Sequence, residues 1–215
     1  YFMVYLTLLH GRDKMNLNVY TQWELKDRNG KIRRTRKKRA HSFLLNYIDL
    51  LYTIHTQSYG GTGSIALKDT TNTSRTGPMI NVTTGVSLGW VMAMLSGSGD
   101  TTYGLVAGTG NNAVAFTDYA LQTIIANGNG SSQLSYGACA VAQVPTTSGS
   151  TRSWKLQRTF TNNSGSTITV NEVGIIYAYR YNSAQGNFLC ERTLSTVSIT
   201  NGTSGTLTYT FSISL

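Results

Sequence analysis

From residue 59 onward the sequence runs in short stretches where apolar and polar residues alternate, each closed by Gly, Asn, Ser or Thr. A period of two places every second side chain on one face of an extended strand, so such stretches fold as strands with one face buried. The candidate strands are residues 64–68, 79–82, 87–95, 104–106, 134–144, 153–161, 167–179, 187–192, 197–200 and 206–215. Trp154, Leu156 and Phe160 share one parity, as do Leu207, Tyr209, Phe211, Ile213 and Leu215. Asn162-Asn163-Ser164-Gly165 and Asn201-Gly202-Thr203 are turn formers between them. Short strands at this spacing bury their apolar faces only by stacking two sheets. The expected fold is all-β, an antiparallel β-sandwich of jelly-roll type with an N-terminal strand or arm, a basic β-hairpin and one short helix.

The first quarter of the chain has a different character. Residues 1–9 (YFMVYLTLL) are apolar, aromatic and β-branched, followed by the polar break His10-Gly11-Arg12-Asp13-Lys14. Such a stretch is either the first strand of the same domain or an arm that completes a neighbour's sheet; in the second case Tyr1, Phe2, Val4, Leu6 and Leu8 form the subunit contact. It lacks a leading basic region and a small-residue cleavage site, and so does not read as an intact signal peptide. Residues 17–26 alternate, Asp27-Arg28-Asn29-Gly30 turns, and residues 31–38 return, with Asn-Gly as the hairpin signal. Ser42 can cap a helix over residues 43–54, whose Leu44, Leu45, Ile48, Leu51 and Tyr52 recur at helical spacing. The organisation is therefore an arm (1–14), a basic hairpin plus helix (15–58), and a sandwich body (59–215) that forms one unit with the hairpin and helix.

Charge is concentrated rather than spread. Only 13% of residues are charged, yet the net charge is +9, and nine of the 18 basic residues fall between Lys26 and Arg39. Lys31, Arg33, Arg34, Arg36, Lys37, Lys38 and Arg39 thus make a basic contact surface. It can meet nucleic-acid phosphates, although no aromatic residues interleave for base stacking. It can equally dock on an acidic patch of a neighbouring subunit or deter wrong strand pairing at an edge. No apolar run reaches the length of a membrane-spanning helix.

Candidate chemistry is sparse. Gly108-Thr109-Gly110-Asn111-Asn112-Ala113 has glycines spaced as in a dinucleotide loop, but no βαβ unit surrounds it; a loop leading to a turn or helix at 117–125, capped by Thr117 or Asp118, fits better. His10, His41 and His55 have no metal-ligand spacing with a third partner. Asp69, Asp100, Asp118, Glu172 and Glu191 are the acids of the body, and no motif selects a pair. Glu172 interrupts an apolar strand, as a bulge, an interface contact or a satisfied buried acid. Cys139 and Cys190 sit in apolar strand-like runs, either as buried thiols or as one disulfide. No catalytic, cofactor or metal residue is assigned, and no enzyme activity is expected.

Three stretches carry a resemblance: ELKDRNGKIRRTRKKRAHSFLLNYIDLL, YGLVAGTGNNAVAFTDYALQTII, and RTFTNNSGSTITVNEVGIIY with its closing TLTYTFSISL. Together they resemble uncharacterised tail, fibre or capsid-surface proteins of phages and viruses, over most of residues 15–215. The resemblance implies a β-sandwich in a repetitive assembly and carries over no catalytic residue. Residues 1–14 depart from the pattern. The expectation is a virion or extracellular structural subunit that assembles with copies of itself, and with other virion proteins, through its N-terminal arm. The alternative is a carbohydrate- or receptor-binding module, with Tyr103, Tyr119, Tyr136, Tyr177, Tyr179 and Tyr181 as stacking platforms.

Overall fold

The computed structural model describes residues 16–40, 43–56, 67–75, 91–181 and 184–214. The arm residues Tyr1, Phe2, Val4, Leu6 and Leu8, the cap Ser42 and the expected strand at 79–82 lie outside the described residues. Among those described, the elements run β1 (Asn16–Lys26), β2 (Ile32–Arg39), α1 (Leu45–Thr56), β3 (Leu67–Lys68), β4 (Ser74–Arg75), β5 (Val91–Ala93), β6 (Gly104–Gly108), β7 (Ser135–Tyr136), β8 (Ala140–Ser148), β9 (Thr151–Asn162), β10 (Ile168–Tyr181), β11 (Ala184–Ile199) and β12 (Thr203–Ser214). The chain is all-β with antiparallel sheets and a single helix among these residues, as the alternation requires.

The large sheet has the order β2-β1-β12-β9-β7, with β8 also on β9; the second sheet has β11-β10-β5, with β6 also on β10. The β1–β2 hairpin closes at Gly30, whose φ of +76° suits a residue without Cβ. β1 then pairs with β12 without a break from Asn16↔Ser214 to Lys26↔Ser204, which builds the basic hairpin into the sandwich. Alternation sends Val19 and Trp23 of β1, Leu156 and Phe160 of β9, and Leu207 and Tyr209 of β12 inward. They meet Leu105, Val173, Ile175 and Ile199 of the second sheet in one cluster. The Trp23 and Phe160 ring centres are 5.6 Å apart, and Tyr136 meets Phe160 edge-on at 4.8 Å. Each such side chain contributes about 1.5–3 kcal/mol by leaving water.

Arg158 has the same inward parity as Leu156 and Phe160, and it is fully buried. Its guanidinium donates to the backbone carbonyls of Gly137 (2.7 Å), Leu105 (2.9 Å), Gly97 (3.0 Å) and Asp100 (2.5 Å), and it lies 4.8 Å from the Tyr136 ring centre. A buried cation is tolerable only when its donors are met. Here the carbonyls of loops meet them, so one side chain ties the strand ends 97–105 and 137 to the large sheet.

The outer face of the second sheet is covered by a third layer, made of α1 and the loop 109–124. Leu44 packs with Val106, Leu121, Ile176 and Leu189, and Leu50 packs with Leu67, Phe188 and Cys190. The helix is turned relative to the expected stripe. Leu44 and Leu50 are buried, with Tyr47 packed beside them, whereas Leu45, Ile48 and Tyr52 are 41%, 50% and 42% exposed. The cause is polar. Asn46 donates its side-chain amide to the carbonyls of Lys68 (2.8 Å) and Leu189 (3.3 Å) and accepts from the Lys68 amide (3.2 Å). The Leu44 amide also donates to the Cys190 carbonyl at 2.9 Å. These anchors set the helix phase about one residue, or 100°, away from its most apolar stripe.

Other departures have local causes. The expected strands 187–192 and 197–200 are one strand, β11, because residues 193–196 stay in the ladder with β10 through two register shifts. The expected strand 134–144 splits into β7 and β8 where the chain steps off β9 at residues 137–139. Residues 117–125 form turns and an isolated bridge rather than a helix.

Candidate functional site

Glu172 faces outward from the second sheet, under the loop 109–124, and it has no exposure to solvent. Its Oε1 accepts from the amides of Gly110 (3.1 Å) and Thr123 (2.9 Å), and its Oε2 from the amide of Gln122 (3.2 Å) and the Arg192 Nε (2.7 Å). Of the three readings open in the sequence, the satisfied buried acid is the one found, and β10 also shifts register between Val170 and Glu172. Arg192 continues the network: it pairs with Asp118 Oδ2 at 2.8 Å and donates to the carbonyls of Asn112 (3.1 Å) and Ala113 (3.5 Å). Asp118 Oδ2 also accepts from the Ala115 amide at 2.9 Å. Hydrogen bonds to Glu172 and Asp118 outweigh the desolvation of Arg192, and its pKa is held above the ordinary value.

This network explains the glycine-spaced loop. A Cβ on Gly108 would stand 2.6 Å from Glu172 Oε1, and one on Gly110 would stand 2.4 Å from it. The glycines let backbone amides close on an anion, as such loops do around phosphate, but here the anion is the chain's own carboxylate.

The anchored loop presents Tyr119, half-buried, between two adjoining depressions. One, of about 340 Å³, is lined by Asn112, Asp118, Tyr119, Gln122 and Arg192. The other, of about 240 Å³, is lined by Leu45, Asp49, Lys68, Ser74, Asp118 and Tyr119. The Lys68 Nζ stands 5.3 Å from the Tyr119 ring centre. Lys68 and Ser74 are set by the β3–β4 hairpin, whose turn closes on Asp69. Asp69 Oδ1 accepts from the Thr71 and Thr73 amides, and Oδ2 pairs with Arg75 at 2.8 Å. Burial raises the pKa of Asp69, but the hydrogen bonds from Thr71, Arg75 and Thr73 outweigh it and hold the carboxyl below its ordinary value.

Of the six expected stacking tyrosines, Tyr119 alone lines these depressions. Tyr136 is buried, with its hydroxyl 2.7 Å from the Ile125 carbonyl. Tyr103 and Tyr177 pack against core clusters. The side chains of Tyr179 and Tyr181 lie outside the described residues.

The basic strand β2 is exposed along its whole length at the edge of the large sheet. Its charge is divided between two faces. Register places Arg34, Arg36 and Lys38 opposite the inward-facing Leu25, Trp23 and Thr21, and places Lys37 and Arg39 opposite Gln22 and Tyr20. Arg36 donates to the Thr196 carbonyl and Lys38 to the Leu194 carbonyl (2.8 Å), so both reach across to β11. Lys37 lies 4.5 Å from the Tyr20 ring centre, and Arg33 pairs with Asp27 at 2.6 Å beside the turn that holds Lys31. A flat nucleic-acid ligand could meet only one of these faces at a time.

Cys139 and Cys190 are both buried and free, and they belong to separate clusters. Burial pushes both thiols up. His10 and His41 lie outside the described residues, and His55 falls in the last turn of α1. No group of three metal-ligating side chains occurs among the described residues, and none of their helices is long and apolar enough to cross a membrane.

The sequence did not point to the network of Glu172, Arg192 and Asp118, nor to Lys68 beside Tyr119. The one readable signal was a glycine-spaced loop in a chain with an unexplained acid in an apolar strand. No protein-family model matches the chain, and no curated protein and no solved structure matches it significantly.

Proposed function

We propose that the chain is a self-assembling structural subunit, of a virion tail or capsid surface or of an extracellular filament, in which the N-terminal stretch of one copy adds as a strand to the next. The observation that carries this reading is the inequality of the two edges of the large sheet. At one edge β2 (IRRTRKKR) holds six basic residues in eight. Toward the other, β8 (AVAQVPTTS) holds no charge, is exposed over nearly all its length, and pairs only with β9 among the described residues. An uncharged edge with exposed Val141 and Val144 is what strand addition uses, and residues 1–9 (YFMVYLTLL) are likewise uncharged. Pro145 withholds one backbone donor, so contacts at the two valines carry part of the register.

The topology supports exchange between copies. Asn16 lies at the sheet end shared by Ser214, Thr151 and Ser148, beside the β8–β9 hairpin tip. Fifteen extended residues span up to about 50 Å, enough to reach a neighbouring subunit. A donor and an acceptor at different places on one molecule make a head-to-tail contact, which propagates as a filament unless rotation closes a ring.

Deleting residues 1–14 should leave a folded monomer, by circular dichroism and native mass spectrometry, where the whole chain forms polymers under the electron microscope. Val141→Lys with Val144→Lys in the whole chain should block assembly in the same way. Polymers that survive the deletion would overturn the arm reading; polymers that survive only the lysine pair would move the acceptor away from β8.

A further inference from the structure

We infer that the two depressions flanking Tyr119 form a binding site for a neutral saccharide, on the layer outside the second sheet and therefore apart from the β8 edge. This inference does not depend on the assembly reading.

The charge of the site selects the ligand class. Asp49, Asp118, Lys68 and Arg192 are the charged residues lining the two depressions, two acids and two bases. Arg192 is a poor anion receptor: four of its five N–H groups are met by Glu172, Asp118 and the carbonyls of Asn112 and Ala113, and its side chain is buried. Asp118 is ion-paired with Arg192 through Oδ2 at 2.8 Å, which offsets its charge toward a cation. A phosphate, a sulfate or a metal ion gains little from such a balanced set, whereas an uncharged polyhydroxyl ligand can exchange its hydrogen bonds to water for bonds to these groups.

The remaining groups match sugar hydroxyls, each of which donates and accepts. Gln122 spends its side-chain oxygen on the amides of Asn111 and Asn112, which leaves its N–H₂ group as a donor. Ser74 and Thr117 add hydroxyls, and Lys68 adds an ammonium beside the ring. Apolar surface sits next to these polar groups. Tyr119 forms the wall between the depressions, Leu45 lines one of them, and Phe116 is 57% exposed where its carbonyl accepts from the Leu45 amide. An aromatic wall with a few fixed polar groups is the usual make-up of a small-ligand site.

The site is also held in advance. Glu172 fixes the loop through three amides, Asn46 grips the Lys68 backbone, and Asp69 closes the hairpin that carries Lys68 and Ser74. Preorganised groups cost little ordering entropy on binding.

The test is a glycan array probed with the intact chain, carrying neutral, sialylated and sulfated oligosaccharides, followed by calorimetric titration of the neutral oligosaccharides that bind. The expected result is binding to at least one neutral oligosaccharide, weakened about tenfold or more by Tyr119→Ala. Thermal melting shows whether that variant folds; if it does not, Lys68→Ala and Ser74→Ala take its place, and each should weaken binding. Polymer formation should be unchanged in all of them. Failure to bind any neutral oligosaccharide, binding confined to the acidic ones, or affinity unaltered by a folded variant would overturn the proposal.

Discussion

Glu191 and Glu172 lie on neighbouring strands, and the fold treats their carboxyls in opposite ways. Glu172 meets three backbone amides and a guanidinium on the outer side of the second sheet. Glu191 points between the sheets, 1% exposed, and among the described residues only the hydroxyls of Tyr209 and Thr193 donate to it. Burial dominates those two bonds and pushes its pKa up to about 7. An acid whose folded pKa is raised is stabilised in its protonated form, so the folded state binds more protons than the unfolded chain between about pH 4.5 and 7. Stability is therefore full below pH 4.5 and falls as pH rises through 7, by about 3 kcal/mol for this group. Glu191→Gln should erase that slope: urea unfolding at pH 4.5 should match the parent, while at pH 8 the variant should be the more stable. An unchanged slope would show that Glu191 does not titrate in this window. In the sequence the two acids look alike, each set in an apolar run. What separates them is a partner some 20 residues away for one and a facing sheet for the other, and neither is local information. Arg158 is not legible in the sequence although it shares the inward parity of Leu156 and Phe160, because a basic residue at that position reads as exposed.

At the scale of elements, period and turn chemistry carry most of the fold. β1, β9, β10 and β12 fall where alternation puts them, because most of their inward residues are apolar and their turns contain Gly or Asn, and β2 falls where the Asn29-Gly30 turn returns the chain. β11 was read as two pieces because Thr193 and Ser195, both buried, break the apolar pattern. The helix was placed within two residues but turned by about 100°, with Leu44 of the expected face still buried, since Asn46 is a better anchor than another leucine: it satisfies strand backbone that would otherwise be buried unmet. That rotation has a measurable consequence. Ile48→Ser, on the exposed stripe, should change unfolding free energy by less than about 0.5 kcal/mol, whereas Leu50→Ala should cost about 2–5 kcal/mol. Denaturant titration of the two variants checks the helix phase directly; a large loss at Ile48 would restore the stripe to the interior.

Across the whole molecule, the exposed edge strands are treated unequally, and in the proposed assembly the inequality would set how copies meet. If two β2 edges paired antiparallel, basic residues would stand directly opposite one another at about 4.5–5.5 Å. Each such pair costs on the order of 1 kcal/mol even at the dielectric of water, and several would occur along eight residues. Arg36 and Lys38 also cover the carbonyls of Thr196 and Leu194 on β11, so the edge of the second sheet is shielded on the same side. β8 has no such charge. Replacing the six basic residues of β2 by Thr keeps its strand propensity but removes the repulsion, leaving two open edges instead of one. The expected outcome is a change in the order of assembly: the parent forms separate filaments or rings, and the variant forms laterally associated sheets that scatter light and pellet at low speed. Raising salt to about 1 M, where the screening length falls to about 3 Å, should move the parent part of the way toward the same state. Micrographs in which variant and parent assemblies are indistinguishable would mean that β2 is an ordinary solvated strand and that its charge does not direct association.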